Sequence, residues 1–517
     1  MATPLVQCVH IQSDPPSLRD NTGDIDRLKR AVAREYTNSP VAVPFARLAG
    51  VASRFRQAHF SGYAVVNEKG TGLEIVDFLA EKPDVFPAVA LDLGTTHLEA
   101  VLLDLLTGKK IAEAHCENDQ IQYGADILNR IHFADKNDGL AVLHKCIIGC
   151  INSLSEQLAQ AVGIKSDAIR ALSVSGNPTM VHFFLNISPH NLCREPYIPL
   201  VNAPDLFYAA ELSLRLHPAA PVFIMPGVGS YFGGDLISGI LATKLDLYEK
   251  TCMLIDVGTN AEVVLGSRDW LIACAGAAGP ALEGGVARMG MRAGPGAIEH
   301  VRVDPETEEF ICDTIGGTKP RGLCGSGIID LVAALYLTGI IDIRGKFRPE
   351  KAGGRIVDCA EGKSFIVASA NQAAENEPVL LSQVDLDALV RSKAAMYAIL
   401  TTLVNQVGVS FGELHRIFVA GAFGRHIDPR QAITLGMLPD LPIEIFEPVG
   451  NSSLKGAEGV LLDRQVRERC KKVVNTITYI ELNVNQEFMT RFSGSKFIPH
   501  TDRSLFPSVP VFDEGPS

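Results

Sequence analysis

Short apolar runs bounded by turn residues recur along this chain, and two of them share one pattern. In each, an apolar run ends in an Asp-x-Gly-Thr turn, and a second apolar run follows. The two turns are Asp92–Thr96 and Asp256–Asn260, which lie 164 residues apart. Apolar runs of this length beside turn residues predict strands, so each copy predicts a strand, a tight turn and a strand. For either turn alone, an ordinary hairpin is the alternative interpretation.

The residue types in the two turns are those that a phosphate group requires. Glycine lets the backbone approach an anion closely, threonine and backbone N–H groups donate hydrogen bonds, and aspartate can hold a hydrated Mg²⁺. Asp92 and Asp256 are therefore the predicted Mg²⁺ ligands and catalytic residues, with Glu262 as a further catalytic candidate. The candidate phosphate-binding residues are Gly94, Thr95, Thr96, Gly258, Thr259 and Asn260.

Each turn is followed at a distance by a second landmark of the same kind. A predicted strand at 171–174 ends at Ser175-Gly176-Asn177, and a predicted strand at 416–420 ends at Gly421–Gly424. These two landmarks lie 245 residues apart. Because the same order of elements occurs twice, we predict a duplicated α/β unit with the ligand between its halves.

Helical periodicity and glycine-rich stretches fill the rest of the chain. The pattern predicts a helix over about 140–162, and Ser382 with Asp385 forms a capping box that opens another. Four glycines in 226–235 indicate close approach by a ligand or by another backbone. Residues 276–327 hold twelve glycines, which predicts loops shaped around a ligand.

Four domains follow from these patterns. The N-terminal segment predicts a helix over 24–35 and a hairpin across 68–70, and the tail is rich in proline. The predicted domains are a small α+β module at 1–86, a first half at 87–250, a second half with a glycine-rich insertion at 251–480, and an extended C-terminal arm at 481–517.

Composition narrows the class of protein. A net charge of −12 argues against a general nucleic-acid surface. The sequence contains no run of 18 apolar residues, so it predicts no membrane span. The N-terminus lacks a signal-peptide pattern. The eleven cysteines include no Cys-x-x-Cys pair. A disulfide framework or zinc ribbon is therefore not expected, and a reducing cytoplasm is the predicted location.

The two Asp-x-Gly-Thr turns and the late Ala-Gly-Ala-Phe-Gly stretch resemble the superfamily of acetate and sugar kinases, heat-shock chaperones and actin. This resemblance implies two RNase H-like halves, as in the actin-like ATPases, that clamp ATP and Mg²⁺ in a cleft between them. It makes Asp92–Thr96 the first phosphate loop and Asp256–Asn260 the second. Gly421, Ala422, Phe423 and Gly424 would form the adenosine loop.

Within that superfamily the chain resembles the ATP-dependent reductive activators of corrinoid proteins. The likeness extends over about 85–500. The matching stretches are Tyr123–Asp126, Gly176–Met180, Val257–Glu262, Ala277–Gly284, Cys324–Gly327, Val419–Gly424 and Gly450-Asn451. The resemblance implies a corrinoid protein as partner, reduction of Co(II) to Co(I) driven by ATP, and a homodimer.

One feature departs from this family. Its activators usually carry an iron–sulfur domain, and neither end of this sequence has the closely spaced cysteines that such clusters need. We therefore expect no Fe–S cluster, and a separate donor such as a ferredoxin to supply electrons. Two alternatives stay open: a nucleotide-gated, chaperone-like binding or assembly protein, and a small-molecule kinase of the same fold.

Overall fold

A computed structural model describes residues 3–36, 39–70, 72–230, 232–258, 260–276, 287–291, 293–304, 306–307, 309–359, 362–482 and 485–510. Two compact units make up this part of the chain. Unit 1 comprises the chain up to residue 242 and residues 453–475, and unit 2 comprises 243–452 and the chain from 476 onwards.

The N-terminal segment of unit 1 folds as a four-stranded sheet with two helices. Its elements are β1 Val6–Gln12, α1 Asp24–Glu35, β2 Val41–Ala42, α2 Phe45–Gln57, β3 Ser61–Lys69 and β4 Gly72–Leu79. The strand order is β1-β3-β4-β2, and β3 and β4 form the predicted hairpin. The helix predicted over 24–35 is confirmed. The prediction missed α2, which begins directly after Pro44, because proline and glycine there indicated turns.

The second part of unit 1 is a six-stranded sheet with helices. Its elements are β5 Pro87–Leu93, β6 His97–Asp104, β7 Lys109–Glu117, α3 Ile127–Ala134, α4 Gly139–Ala161, β8 Leu172–Gly176, α5 Pro178–Phe184, β9 Phe207–Tyr208, β10 Pro221–Ile224 and α6 Gly234–Thr243. The strand order is β7-β6-β5-β8-β10-β9, with β5, β6 and β7 antiparallel and β8 and β10 parallel to β5. The long helix predicted over 140–162 is α4, which buries Leu143, Ile147 and Leu154 on one face.

The remaining chain contains the elements of unit 2 and two helices of unit 1. They are β11 Cys252–Val257, β12 Ala261–Gly266, β13 Leu271–Gly276, β14 Ala297–Val303, β15 Phe310–Thr314, β16 Gly322–Leu323, α7 Gly325–Leu337, β17 Ile356–Cys359, β18 Gly362–Ala368, β19 Val379–Ser382, α8 Gln383–Gln406, β20 Arg416–Ala420, α9 Gly421–His426, α10 Pro429–Thr434, β21 Phe446–Gly450, α11 Ser452–Leu462, α12 Arg464–Thr476, β22 Ile477–Tyr479 and α13 Gln486–Gly494. All but the first residue of α11 and all but the last residue of α12 belong to unit 1.

The main sheet of unit 2 repeats the main sheet of unit 1. Its order is β21-β20-β11-β12-β13-β22, in which β11, β12 and β13 are antiparallel and β20 and β21 run parallel to β11. When the short edge strands β9 and β22 are left out, both sheets have the same order, β7-β6-β5-β8-β10 in unit 1 and β13-β12-β11-β20-β21 in unit 2. This confirms the predicted duplication of RNase H-like halves. Two small three-stranded sheets, β15-β14-β16 and β17-β18-β19, lie within the insertion of unit 2.

Two local predictions in unit 2 were wrong. The C-terminal arm is not extended throughout, because Asn485 caps the helix α13. Phe488 and Phe492 of this helix pack against the core of unit 2. The stretch Ile443-Glu444-Ile445-Phe446 also predicts a strand, but the strand begins only at Phe446, since a single helical turn occupies 443–445.

Among the described helices, none combines the length and the apolar composition that crossing a membrane requires.

Candidate functional site

The first turn joins β5 to β6 at one edge of the unit 1 sheet. β5 ends at Leu93 and β6 begins at His97, so Gly94, Thr95 and Thr96 form the whole connection. A Cβ atom on Gly94 would lie 2.4 Å from the His97 carbonyl oxygen. A side chain cannot fit there, so the tightness of the turn requires glycine at this position.

Two residues outside the turn, Asn118 and Arg130, donate to all three of its carbonyl groups. Asn118 donates from Nδ2 to the Gly94 oxygen at 3.0 Å and from its backbone nitrogen to the Thr96 oxygen at 2.9 Å. Arg130 donates from Nη1 to the Thr95 oxygen at 2.7 Å. Since N–H and C=O groups of a peptide plane point in opposite directions, these bonds turn the N–H groups of the loop the other way.

The N–H groups of Thr95 and Thr96 donate to nothing in the described part of the chain. Successive N–H groups that face one way form an anion-binding concavity. The side chain of Asn177, which caps α5, donates to Thr95 Oγ1 at 3.1 Å and so orients a further polar group in the turn. The structure thus assembles Gly94, Thr95 and Thr96 into an arrangement that can hold a phosphate.

Asp92 lies beside a row of hydroxyl groups at the same sheet edge. It stands opposite Glu99 on β6 and beside Ser175 on β8. Ser453 of α11 donates from Oγ to Asp92 Oδ1 at 2.7 Å and lies 2.9 Å from Ser175 Oγ. Directly opposed residues of an antiparallel pair point to the same face, so Asp92 and Glu99 form a carboxylate pair.

Asp235 is a carboxyl group of this region that the sequence analysis missed. It follows the glycine-rich stretch and lies in the first turn of α6. Burial raises its pKa to about 7; the Leu236 N–H opposes this shift and the nearby Asp92 charge adds to it. A Cβ on Gly233 would lie 2.4 Å from the Gly176 oxygen, so these glycines admit another backbone.

The second turn has the same place in the unit 2 sheet and, counted between the last paired residues of its two strands, is one residue shorter than the first. Asp256 on β11 stands opposite Glu262 on β12, and Val257 stands opposite Ala261. Gly258 donates from its backbone nitrogen to the Asn260 oxygen at 2.9 Å, which closes the turn. Thr259 lies outside the described residues. The structure therefore places Asp256, Glu262, Gly258 and Asn260 together, as a second carboxylate pair beside a tight turn.

Gly421 lies next to Asp256 at the end of the parallel strand β20. Ala420 pairs with Asp256, and Gly421 has a φ of +74°. A Cβ on Gly421 would lie 2.8 Å from the Val257 oxygen and 3.0 Å from Asp256 Oδ1. The prediction that residues 421–424 form a loop is wrong, because the helix α9 begins at Gly421. A Cβ on Gly424 would lie 2.0 Å from the Val419 oxygen, and the side chains of Ala422 and Phe423 lie outside the described residues.

The carboxylate pairs of the two turns suit Mg²⁺ in the form that accompanies a polyphosphate. That ion keeps several waters and binds one or two carboxylates together with phosphate oxygens. The described residues contain no group of three or more His, Cys, Asp or Glu side chains that could hold a metal. In each unit the two carboxylates fit a hydrated Mg²⁺ that is also bound to phosphate oxygens. Asp92 and Glu99 would hold it in unit 1, and Asp256 and Glu262 would hold it in unit 2.

Three family models match the chain one after another. They are the RACo linker region at residues 1–82, the RACo middle region at 87–248, and the C-terminal domain of RACo, the ASKHA domain, at 250–510. The chain belongs to the RACo family.

Individual proteins are similar over three quarters or more of the chain. The corrinoid activation enzyme RamQ of Eubacterium limosum is 30% identical over 95% of this chain and 82% of its own length. A [Co(II) methylated amine-specific corrinoid protein] reductase of Methanosarcina barkeri is 24% identical over 75% of this chain and 72% of its own. The solved structure of a reductive activator for corrinoid, iron-sulfur protein superposes with a TM-score of 0.90 at 37% identity, covering 98% of this chain and 81% of that one.

Two motifs of the RACo family resemblance have clear structural places here. Asp126 caps α3, the helix that carries Arg130, and accepts from the Asn129 N–H at 2.8 Å. Cys324 caps α7 and is buried, with Sγ 3.3 Å from the Ile298 oxygen. This contact is typical of a small residue that fills a tight loop.

Glu99 was also missed, although the hairpin register contained the signal for it. It stands opposite Asp92 as Glu262 stands opposite Asp256. Arg130, Ser453 and Asp235 had no comparable signal, because their positions beside the first turn come from contacts between distant segments.

Proposed function

We propose that this protein uses ATP to activate a corrinoid protein, and that its product is the Co(I) form of the partner's cobalamin. The observation that carries the proposal is the match of three consecutive RACo family models across the chain. The relatives bear the same activity in their names: one is a corrinoid activation enzyme and another a corrinoid protein reductase.

ATP binding would use the turns of both units. In unit 1 the N–H groups of Thr95 and Thr96 and the side chain of Thr95 would bind phosphate oxygens. Asp92 and Glu99 would position Mg²⁺, which neutralises phosphate charge when bound. In unit 2 Asp256 and Glu262 would do the same. Gly258, Thr259 and Asn260 would contact phosphates, and Gly421–Gly424 would contact the adenosine, as the family resemblance implies.

Asp235 is the proposed proton acceptor for hydrolysis. A carboxyl group with a pKa of about 7 can accept a proton from water at neutral pH and release it again. Asp92 is close enough to raise that pKa by its charge. Hydrolysis converts ATP and water to ADP and phosphate, and the proton taken from the water leaves through the carboxyl group.

The redox step takes one electron: Co(II) plus one electron gives Co(I). We propose that a separate low-potential donor, such as a ferredoxin, supplies that electron. ATP binding and hydrolysis would change the conformation of this protein and thereby its hold on the corrinoid protein. The protein would thus supply free energy to the reduction without supplying the electron.

The test is an anaerobic assay with a purified corrinoid protein in the Co(II) state and a one-electron donor such as titanium(III) citrate. We expect the Co(I) absorbance to appear only when this protein and Mg·ATP are both present. We also expect the Asp256→Asn variant to leave the cobalt as Co(II). Co(I) formation at the same rate without ATP, or without this protein, would contradict the proposal.

The same assay separates the alternatives. A chaperone-like binding protein would hydrolyse ATP and bind the corrinoid protein with no change in cobalt oxidation state. A small-molecule kinase would transfer phosphate to a metabolite and would leave the corrinoid spectrum unchanged. If either outcome is found and ATP hydrolysis depends on Asp256, the proposed nucleotide site is supported and the proposed redox role is overturned.

A further inference from the structure

Arg130 is a buried cation at the back of the first turn. Its side chain is fully buried, with 0% of its surface exposed. It belongs to α3, and Asp126 caps that helix. Removing a guanidinium from water costs several kcal/mol unless its charge and donors find partners, so a position like this one needs a reason.

The partners of Arg130 are neutral acceptors. Nε donates to the Gly124 oxygen at 2.9 Å, and Nη1 donates to the Thr95 oxygen at 2.7 Å and to Gln120 Oε1 at 3.2 Å. No carboxylate forms an ion pair with Arg130 among the described residues. Burial lowers its pKa to about 10, and the Asp126 charge raises it only in part, so the side chain stays cationic at neutral pH.

One donor of Arg130 is unused. Nη2 is buried and has no hydrogen-bond partner in the described part of the chain. Arg27 and Arg467, two other buried arginines of unit 1, also have an unused donor at Nε, but each has a carboxylate partner. Arg27 has Asp20 as an ionic partner at Nη1, and Arg467 has Glu68 at Nη2. Arg130 is therefore a buried positive charge without a countercharge, in contact with a turn whose N–H groups also lack acceptors.

We propose that Arg130 is a positioning residue for polyphosphate binding at the Asp92–Thr96 turn. It holds the Thr95 carbonyl, so that the N–H of Thr96 on the same peptide plane faces the opposite side, where the anion binds. Its uncompensated charge lies behind the turn and attracts the anion through a medium of low polarity. This inference rests on the proposed ATP binding. It identifies Arg130 as the positive charge that complements the phosphates at that same site.

The role differs from that of a residue that merely stabilises the fold. A structural arginine would affect every nucleotide equally, through the population of folded protein. A charge directed at the phosphates affects ATP, which carries more negative charge, more strongly than AMP. The ratio of the AMP to the ATP dissociation constant therefore measures the proposed role, independently of stability.

The experiment measures Kd for fluorescently labelled ATP and AMP on the full chain with Mg²⁺ and for three variants. We expect Arg130→Met to lower the AMP-to-ATP ratio about tenfold, the loss typical of a charge-assisted contact. Arg130→Lys keeps the charge but cannot bridge two carbonyls, so we expect an intermediate ratio. The matched control is Arg27→Met, another buried arginine, which should leave the ratio unchanged. Circular dichroism identifies any variant that does not fold, and the lysine variant then carries the test.

Each outcome decides the matter. A wild-type ratio retained by Arg130→Met and Arg130→Lys would overturn the positioning role and leave the proposed ATP binding intact. An equal loss of ATP and AMP affinity would assign Arg130 a structural role only. Absence of ATP binding by the wild-type protein would overturn the proposed function itself and this inference with it.

Discussion

The two Asp-x-Gly-Thr turns occupy the same place in two copies of one sheet, yet they are supported differently. Each follows the central strand of its sheet, each opposes its aspartate to a glutamate, and each lies beside a glycine that ends the neighbouring parallel strand. A Cβ on Gly176 or on Gly421 would lie 2.8 Å from the carbonyl oxygen of Leu93 or Val257, respectively. The backbone frame is therefore duplicated down to single contacts.

The difference lies in the side chains around each turn. In unit 1, Asn118 and Arg130 hold the carbonyl groups of the turn, and Asn177 holds Thr95 Oγ1. In unit 2, Gly421 has a left-handed backbone conformation, which its counterpart Gly176 lacks, and a helix begins at Gly421. The contacts of Asn118, Arg130 and Asn177 thus hold the turn of unit 1 in a form that presents donors to an anion.

The strongest way to test this comparison is to remove each aspartate. We expect Asp92→Asn and Asp256→Asn each to lower ATP hydrolysis at least about 100-fold, because each removes a charge that positions Mg²⁺ and phosphate. Steady-state phosphate release measures the effect. Asp269→Asn, in an exposed turn between β12 and β13, is the matched control and should keep full activity. Full activity in either Asp92→Asn or Asp256→Asn would show that only one unit takes part.

The glycines test the backbone frame. We expect Gly421→Ala to lower the free energy of unfolding by about 3 kcal/mol, since it combines a positive φ with contacts to Val257 and Asp256. Gly176→Ala has the contact without the positive φ, and Gly163→Ala has a φ of +71° with nothing within 4 Å. Each should cost about 1–2 kcal/mol. Urea unfolding measures all three. If Gly421→Ala lowers the free energy of unfolding no more than Gly163→Ala does, the atoms around Gly421 can move to accommodate a Cβ.

Asp235 gives a pH dependence specific to unit 1. Its pKa rises from 3.8 to about 7 on folding, so the folded state binds more protons than the unfolded state between these values. Stability should therefore fall as pH rises from about 4 to 7. Asp235→Asn should flatten this dependence and raise the free energy of unfolding at pH 8 by roughly 2–4 kcal/mol, since it removes a charge that burial disfavours. Thermal unfolding at pH 5 and pH 8 measures the difference; an unchanged slope in Asp235→Asn would contradict the prediction.

Ser453 has the smallest expected effect. Ser453→Ala removes the hydrogen bond to Asp92 Oδ1 and should cost about 1 kcal/mol of stability and raise the Mg²⁺ concentration needed for half-maximal ATPase activity. Ser495→Ala is the control, because this buried hydroxyl donates to the Arg491 oxygen within unit 2. It should cost a similar stability without changing the Mg²⁺ dependence. A Mg²⁺ dependence unchanged in Ser453→Ala would show that this hydroxyl does not orient Asp92.

Local patterns in the sequence predicted the frame of the site well. The apolar runs beside Asp92 and Asp256 predicted the strands, because burial on a sheet favours short apolar runs next to turn residues. The recurrence of the pattern predicted the duplication that the two sheet orders confirm. Gly421 was identified as a special position but placed in a loop, since a single glycine at a strand end does not distinguish a loop from the first residue of a helix.

The supporting residues could not be predicted in the same way. Ser453 contacts Asp92 across 361 residues of chain, and Asn177 contacts Thr95 across 82. No short pattern contains both members of such a pair. The pKa of Asp235 depends on burial by segments from several parts of unit 1, so the residue looks like an ordinary helix-start aspartate in the sequence.

The sequence by itself therefore determined the duplicated frame, the two aspartates and the glycine turns, because these depend on local backbone conformation and on the periodicity of burial. Only the tertiary structure showed which residues support the first turn. Asn118 and Arg130 bond its carbonyl groups, and Ser453 bonds Asp92. These contacts join segments that are distant along the chain, so no local sequence pattern contains them.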